Sequence, residues 1–189
     1  MNRIEKFTRI ITIPAIVSGL TVLVLYLFVD NAMSTADFII SEVCLLLIPA
    51  LAYPIREIFH IGKDRREGQR STAMVFSAAS YVGGLIWALI TNSSPVTKVL
   101  FFSYVISVAV LIILNKLIRF KASGHACSTT APTVILAWQL NAYMLIPCAL
   151  LISAVYRSSI KLKQHTLPQL LTGSAISVCA GFLGILVFA

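Results

Sequence analysis

The chain has 189 residues, of which 58% are hydrophobic and only 12% are charged, and its formal net charge is +8. Soluble domains carry about 25% charged residues, so this composition excludes a soluble globular protein and makes the bilayer the solvent. A charge of this sign would suggest nucleic acid binding in a soluble protein, but in a membrane protein its distribution reports topology, and we expect no nucleic acid partner.

Apolar segments follow one another along the chain with short polar stretches between them. They cover 10–29, 38–60, 72–91, 98–118, 126–157 and 166–188. A transmembrane helix needs about 20 predominantly apolar residues, so these segments use nearly the whole chain. We therefore expect an all-α integral membrane bundle of roughly six or seven transmembrane helices, forming a single transmembrane domain over residues 1–189.

The first and the fifth of these segments need comment. The segment 10–29 follows three cations and shows no small-residue cleavage site before Asp30, which indicates a retained helix rather than a signal peptide. The segment 126–157 is too long for one comfortable helix and short for two. Asn141 near its middle, with Pro132 and Pro147 inside it, permits two short helices joined by a tight turn.

The cations lie mostly on one side of the expected bundle. The N-terminal tail and the loops 61–71 and 116–125 share a side and are basic, whereas the opposite loops carry acidic residues and only Lys98. The positive-inside rule makes the basic side cytoplasmic, together with the N-terminus. We expect an integral membrane protein, most simply of the plasma membrane, in contact with membrane lipids. The sequence predicts no oligomeric state.

Three polar clusters interrupt the apolar pattern, at 63–70, 121–128 and 157–169. Each contains cations, and the last two contain His125 and His165. If the clusters converge, cations and the backbone N–H groups at Ser123 and Gly124 would form a phosphate pocket. Of two histidines in such a pocket, one can attack phosphorus and the other can protonate the leaving oxygen.

In these clusters the chain resembles the type 2 phosphatidic acid phosphatase family of membrane lipid phosphatases. The family signature is Lys-x6-Arg-Pro, then Pro-Ser-Gly-His, then Ser-Arg-x5-His-x3-Asp. Lys63 and Arg70 keep the spacing of the first motif, with Ser71 in place of the proline. The resemblance covers residues from about 60 to 175.

The second motif is present as Ser123, Gly124 and His125 without its proline. The third motif fits through His165 alone, since Ser159 stands in place of the arginine and Gln169 in place of the aspartate.

Both departures in the third motif affect the expected chemistry. Gln169 can still accept a hydrogen bond from the imidazole of His165, but it brings no negative charge, so the histidine should be a weaker nucleophile. Arg157 lies two residues too early for the family's arginine. Arg157, Lys161 and Lys163 are the alternatives that would replace it if the loop bends differently.

The resemblance implies a metal-independent phosphatase with no cofactor. His165 would attack phosphorus, His125 would protonate the lipid alkoxide, and Lys63, Arg70 and Arg157 would bind the phosphate with backbone help at Ser123 and Gly124. The partner is then a phosphorylated lipid or isoprenoid substrate. The common pocket also favours two helices in 126–157, because two helices return His165 to the side of His125.

Two other functions remain open at this point. One is a catalytically silent relative that binds anionic lipid or a membrane protein partner, which Ser159 and Gln169 favour. The other is a small transporter or flippase-like protein, which would require more polar groups near the middle of the membrane than this sequence offers.

Overall fold

The structure is a computed structural model that describes residue 5, residues 11–62 and residues 64–189, apart from the side chain of Arg66. Within these ranges the chain forms seven helices and no strand. They are α1 (Pro14–Phe28), α2 (Thr35–Phe59), α3 (Arg65–Ile90), α4 (Pro95–Leu117), α5 (Gly124–Gln139), α6 (Leu145–Lys161) and α7 (Leu167–Phe188). The expected all-α membrane bundle is confirmed.

Five of the helices, α2, α3, α4, α6 and α7, are long and apolar enough to cross a membrane. Helix α1 is apolar but shorter, and α5 has only 16 residues. The outer surface of the bundle is apolar as well: Leu186 is 83% exposed, Phe28 71% and Val75 62%. Exposing large apolar side chains to water is unfavourable, so this surface is suited to contact with the hydrocarbon of a membrane.

Helix α4 lies at the centre of the bundle. Its side chains at Val99, Leu100 and Phe101 are fully buried, and it packs against α3, α5 and α7. Because it is covered on several sides, α4 is hydrophobic around its whole circumference rather than along one stripe.

Glycines allow the close contacts around this centre. In α3, a methyl group on Gly84 would lie 2.0 Å from the ring of Phe101, so the helix backbone can approach α4 only without a side chain there. In α7, the buried small residues Gly173, Ser177, Gly181 and Gly184 face α5 and α4. Such small residues are the usual means by which helices pack closely in membranes.

Helix α2 contains a π-helical segment, Val43–Leu47, which ends two residues before Pro49. Proline has no backbone N–H, so it cannot provide the α-helical hydrogen bond to the carbonyl of Leu45. The hydroxyl of Ser18 on α1 donates to that carbonyl at 2.7 Å. A neighbouring helix thereby provides a donor for a carbonyl in the interior of the bundle.

The expectation of two helices within 126–157 is confirmed, and the single-helix alternative is wrong. Helix α5 ends at Gln139, and the side chain of Asn141 accepts the backbone N–H of Tyr143 to start a short 3₁₀ turn before α6. Pro147 is the third residue of α6. Its missing N–H lies in the first helical turn, where no intrahelical acceptor exists, so the proline is tolerated.

Two polar clusters are more helical than the hydropathy pattern predicts. The expectation that 61–71 is a loop is wrong for most of this stretch, because α3 begins at Arg65 and already includes Arg70. The carboxylate of Asp64 caps it by accepting the backbone N–H of Glu67 at 3.2 Å. Similarly, α6 continues past Arg157 to Lys161. Hydropathy detects the apolar part of a helix and not its polar turns, which capping residues define.

Contacts between loops divide the bundle into two ends. At one end, the carboxylate of Asp37 accepts hydrogen bonds from Trp87 Nε1 at 3.1 Å and from the hydroxyl of Ser93, which joins the first turn of α2 to the end of α3 and to the α3–α4 connection. At the other end, the starts of α1, α5 and α7 meet. We call this second end the basic end; its described cations are Arg56, Arg65, Arg70, Lys116, Arg119, Lys121, Arg157, Lys161 and Lys163.

A matched pair of glycines tests the packing of α3 on α4. Gly84→Ala should destabilise the protein by about 1–3 kcal/mol, because the added methyl group overlaps the buried ring of Phe101. Gly83→Ala meets nothing within 4 Å, and alanine is favoured over glycine in a helix by about 1 kcal/mol. Thermal unfolding in detergent should therefore show a lower midpoint for Gly84→Ala only. Equal midpoints for the two variants would contradict this packing.

Candidate functional site

The site is built where α5 and α7 begin. The backbone N–H of Ser123, just before α5, donates to the carbonyl of Gln169 in the first turn of α7 at 3.0 Å. One turn further along α7, a methyl group on Gly173 would lie 2.3 Å from the carbonyl oxygen of Ser123. Only glycine permits this approach, so the two helix starts are in direct backbone contact. Each brings one of the two histidines.

Helix α7 opens with a capping box that also holds His165. The side-chain oxygen of Gln169 accepts the backbone N–H of Thr166 at 3.1 Å, and the same oxygen lies 3.2 Å from Nδ1 of His165. The amide oxygen of Gln169 has no hydrogen to donate, so it accepts from His165 as it does from Thr166. In the neutral imidazole of His165 the hydrogen is therefore assigned to Nδ1. The lone pair of His165 is then on Nε2, where a nucleophile needs it.

Helix α5 begins in a similar way. Ser123 is its N-cap, and its hydroxyl accepts the backbone N–H of Ala126 at 3.2 Å. Gly124 and His125 are the first two residues of the helix, where backbone N–H groups have no intrahelical acceptor. Two helix N-termini therefore face the same end of the bundle, and the dipole of each favours an anion there.

A cleft of about 470 Å³ opens beside His165. We call it the His165 cleft; it is lined by Lys121, Ile160, Lys163, Gln164, His165, Thr166, Leu167 and Gln169. Two lysines, an imidazole and a helix start thus border one shallow, open cleft. This combination suits an anion such as a phosphate, whose oxygens take charge-assisted hydrogen bonds. Ile160 and Leu167 add apolar surface, and they are 47% and 50% exposed.

A polar contact joins three helices about two turns below the helix starts. The hydroxyl of Ser174 on α7 lies 2.7 Å from that of Thr130 on α5 and 2.7 Å from that of Tyr156 on α6. Packing between α6 and α7 is otherwise sparse. The Tyr156 hydroxyl therefore fastens α6 to α7 beneath the cleft.

The structure brings some of the predicted residues together. His165 and Gln169 line the cleft, and the side-chain contact expected between them is present. Ser123 lies against α7, but its side chain is fully buried and its N–H is used by Gln169. The N–H of Ser123 is thus already paired, whereas the N–H of Gly124, the first residue of α5, has no acceptor within the helix.

The second histidine is held by a different partner. Nε2 of His125 lies 2.8 Å from the hydroxyl of Thr12, at the entrance to α1. His125 is not among the described residues that line the cleft, although it lies two residues from Ser123, which is in contact with Gln169.

The described cations that were expected to bind phosphate, Arg70 and Arg157, are not among the residues that line the His165 cleft. Arg70 is an exposed residue of α3, a helix that packs mainly on α2 and α4. Arg157 is exposed on α6, while Ser159, in the place of the family's arginine, is fully buried. Lys63 lies outside the residues that the structure describes.

Sequence reasoning left two contacts out of the candidate site. The sequence places Lys121 in a polar cluster, but only the fold shows that it shares a cleft with His165. Thr12 gave no signal at all, because a single threonine in an apolar run is common and its partner lies 113 residues away. Lys163, one of the three expected alternatives to the missing arginine, lines the cleft.

The side chains that could bind a metal ion are far apart in the described part of the chain. Within the described part of the chain, no three side chains of histidine, cysteine, aspartate or glutamate lie close enough to bind one metal ion.

Comparison with known proteins adds no relative. No protein-family model matches the chain, and no curated protein or solved structure matches it either. The resemblance to lipid phosphatases therefore stays a prediction that rests on the three motifs.

The fastening of α6 beneath the cleft leads to a stability prediction. Tyr156→Phe removes the hydroxyl that joins α6 to Ser174 and should lower the free energy of unfolding by about 1 kcal/mol. Tyr143→Phe is the matched control, since Tyr143 is 80% exposed at the start of the same helical segment. Unfolding in detergent should separate the two variants. Equal stability for both would show that this hydrogen bond does not fasten α6.

Proposed function

We propose that the protein is a membrane phosphatase that hydrolyses a lipid phosphate or an isoprenoid (di)phosphate through a phosphohistidine at His165. The observation that carries the proposal is the arrangement of His165. Its Nδ1 is held by Gln169, and its ring lies in a cleft with Lys121 and Lys163. A nucleophile with a fixed tautomer beside two cations is what attack on a phosphate requires.

The reaction has two steps. In the first, Nε2 of His165 forms a bond to phosphorus, the bond from phosphorus to the lipid oxygen breaks, and His125 donates a proton to that oxygen. In the second, water attacks phosphorus, the N–P bond breaks, and inorganic phosphate leaves while His125 takes the proton of the water. Neither step needs a metal or another cofactor.

The charged residues proposed to act at this site differ from those of the family pattern. Lys121 and Lys163 would hold the phosphate oxygens, helped by N–H groups at the start of α5 around Gly124. The family resemblance alone adds Lys63, Arg70 and Arg157 as further phosphate-binding residues. Gln169 orients His165 without a negative charge, so the imidazolium that forms on attack is less stabilised, and we expect slower turnover than a carboxylate would give.

The location of the cleft suggests which substrates reach it. The basic end carries every described lysine and arginine except Lys98, and the positive-inside rule would place it in the cytoplasm of a plasma-membrane protein. Substrates would then come from the inner leaflet or the cytosol. The resemblance implies phosphatidic acid, phosphatidylglycerol phosphate and polyprenyl mono- or diphosphates as candidates.

A second candidate function has its own observation. Ser159 is fully buried where the family has a phosphate-binding arginine, and the exposed Arg157 is two residues away. A chain that lacks this cation and the orienting carboxylate could bind anionic lipid without turning it over. Retained binding of phospholipid with no phosphate release would favour this silent relative.

Phosphate release tests the proposed function. The purified protein in detergent with EDTA should release phosphate from at least one lipid phosphate or isoprenoid diphosphate, and His165→Ala should abolish that release, because no N–P bond can form. Colorimetric phosphate detection over a panel of substrates measures it. Release that persists in His165→Ala would refute the nucleophile, and no release from any substrate would favour the silent relative.

A pair of lysine variants serves as the control for charge. Lys121→Met keeps the length of the side chain but removes a cation from the cleft, so KM for the substrate should rise about tenfold. Lys98→Met removes a cation from the opposite end, where Lys98 bonds Asn92, and should leave KM unchanged.

A further inference from the structure

The region before α1 contacts both histidine-bearing clusters. The hydroxyl of Thr12 lies 2.8 Å from Nε2 of His125, at the start of α5. The carboxylate of Glu5 accepts a hydrogen bond from the ammonium of Lys161, at the end of α6, at 3.1 Å. Neither contact follows from the motifs, and together they connect the second and third polar clusters through one part of the chain.

In the contact between Thr12 and His125, Thr12 is buried and His125 is half-buried. Thr12 is only 2% exposed, and Glu5 only 6%. A hydrogen bond to a group that is buried away from water is stronger than one in bulk solvent. The hydroxyl of Thr12 therefore restricts rotation of the His125 ring.

We propose that Thr12 is a positioning residue for His125, holding Nε2 so that the proton transferred in the reaction passes through Nδ1. The inference rests on the proposed function, in which His125 is the acid. The hydroxyl oxygen of Thr12 can accept a hydrogen bond, so Nε2 of His125 keeps its hydrogen and donates it to Thr12 both before and after His125 gives up its other proton. Nδ1–H is given to the leaving lipid oxygen, and Nδ1 takes a proton from water when the N–P bond is hydrolysed.

This arrangement has a clear kinetic consequence. Thr12 lies against His125, and it is not among the described residues that line the His165 cleft. Loss of its hydroxyl should leave phosphate binding intact and impair proton transfer. The effect should therefore fall on kcat and spare KM.

The experiment compares Thr12→Val, which replaces the hydroxyl with a methyl group of similar size, with Thr12→Ser, which keeps it. Thr21→Val is the matched control, since Thr21 is 3% exposed on α1 and its hydroxyl donates to the carbonyl of Val17. Protein labelled with ¹⁵N in its three histidine rings gives a spectrum simple enough to assign with His→Gln variants. Phosphate release is measured on the same preparations.

The inference expects Thr12→Val to shift the Nε2 resonance of His125 and to lower kcat about tenfold or more, with KM changed less than about twofold. Thr12→Ser should restore both values, and Thr21→Val should change neither. An unshifted resonance in Thr12→Val would overturn the contact. A shifted resonance with unchanged kcat would overturn the positioning role.

Failure of the proposed function would look different. Wild-type protein would then release no phosphate from any substrate, and the catalytic role of Thr12 would be refuted with it. The resonance of His125 would still show whether Thr12 holds the ring.

Discussion

The hydrogen bond from the backbone N–H of Ser123 to the carbonyl of Gln169 determines where everything else in the site lies. It joins the starts of α5 and α7, and it forms only because Gly173 leaves room for the carbonyl of Ser123. Side-chain chemistry cannot replace such a contact, because both partners are backbone atoms. The capping of α7 by Gln169 then orients His165 beside it. A single pair of helix starts thus organises the candidate nucleophile, its orienting partner and the N-terminus of α5.

Bilayer physics explains why these helix starts face the same end. Irregular backbone is costly in hydrocarbon, so polar turns collect at the two ends of a bundle. The turn at Asn141 reverses the chain after α5, and α6 brings it back to the basic end before α7 begins. The central helix α4 is buried and gives α3 and α7 a common surface to pack on.

Much of this fold could be predicted from the sequence. Apolar segments gave the helices and the membrane class, because their length and hydropathy are local properties, and Asn141 marked the turn within 126–157. Boundaries such as the start of α3 at Arg65 depended on capping by Asp64 instead. The contact between His165 and Gln169 could be expected because the two residues are four apart on one helix start. Contacts such as those of Thr12 with His125 and of Lys121 with the cleft join residues far apart in sequence, and only tertiary packing decides them.

The central claim is that His165 forms a bond to phosphorus, and a trapped intermediate tests it most directly. The protein is mixed with a substrate that it turns over, quenched at alkaline pH, where phosphohistidine is stable, and digested for mass spectrometry. The account predicts one phosphoryl group on the peptide that contains His165 and none on the peptide that contains His125. A phosphoryl group on His125, or turnover with an unmodified His165, would contradict it.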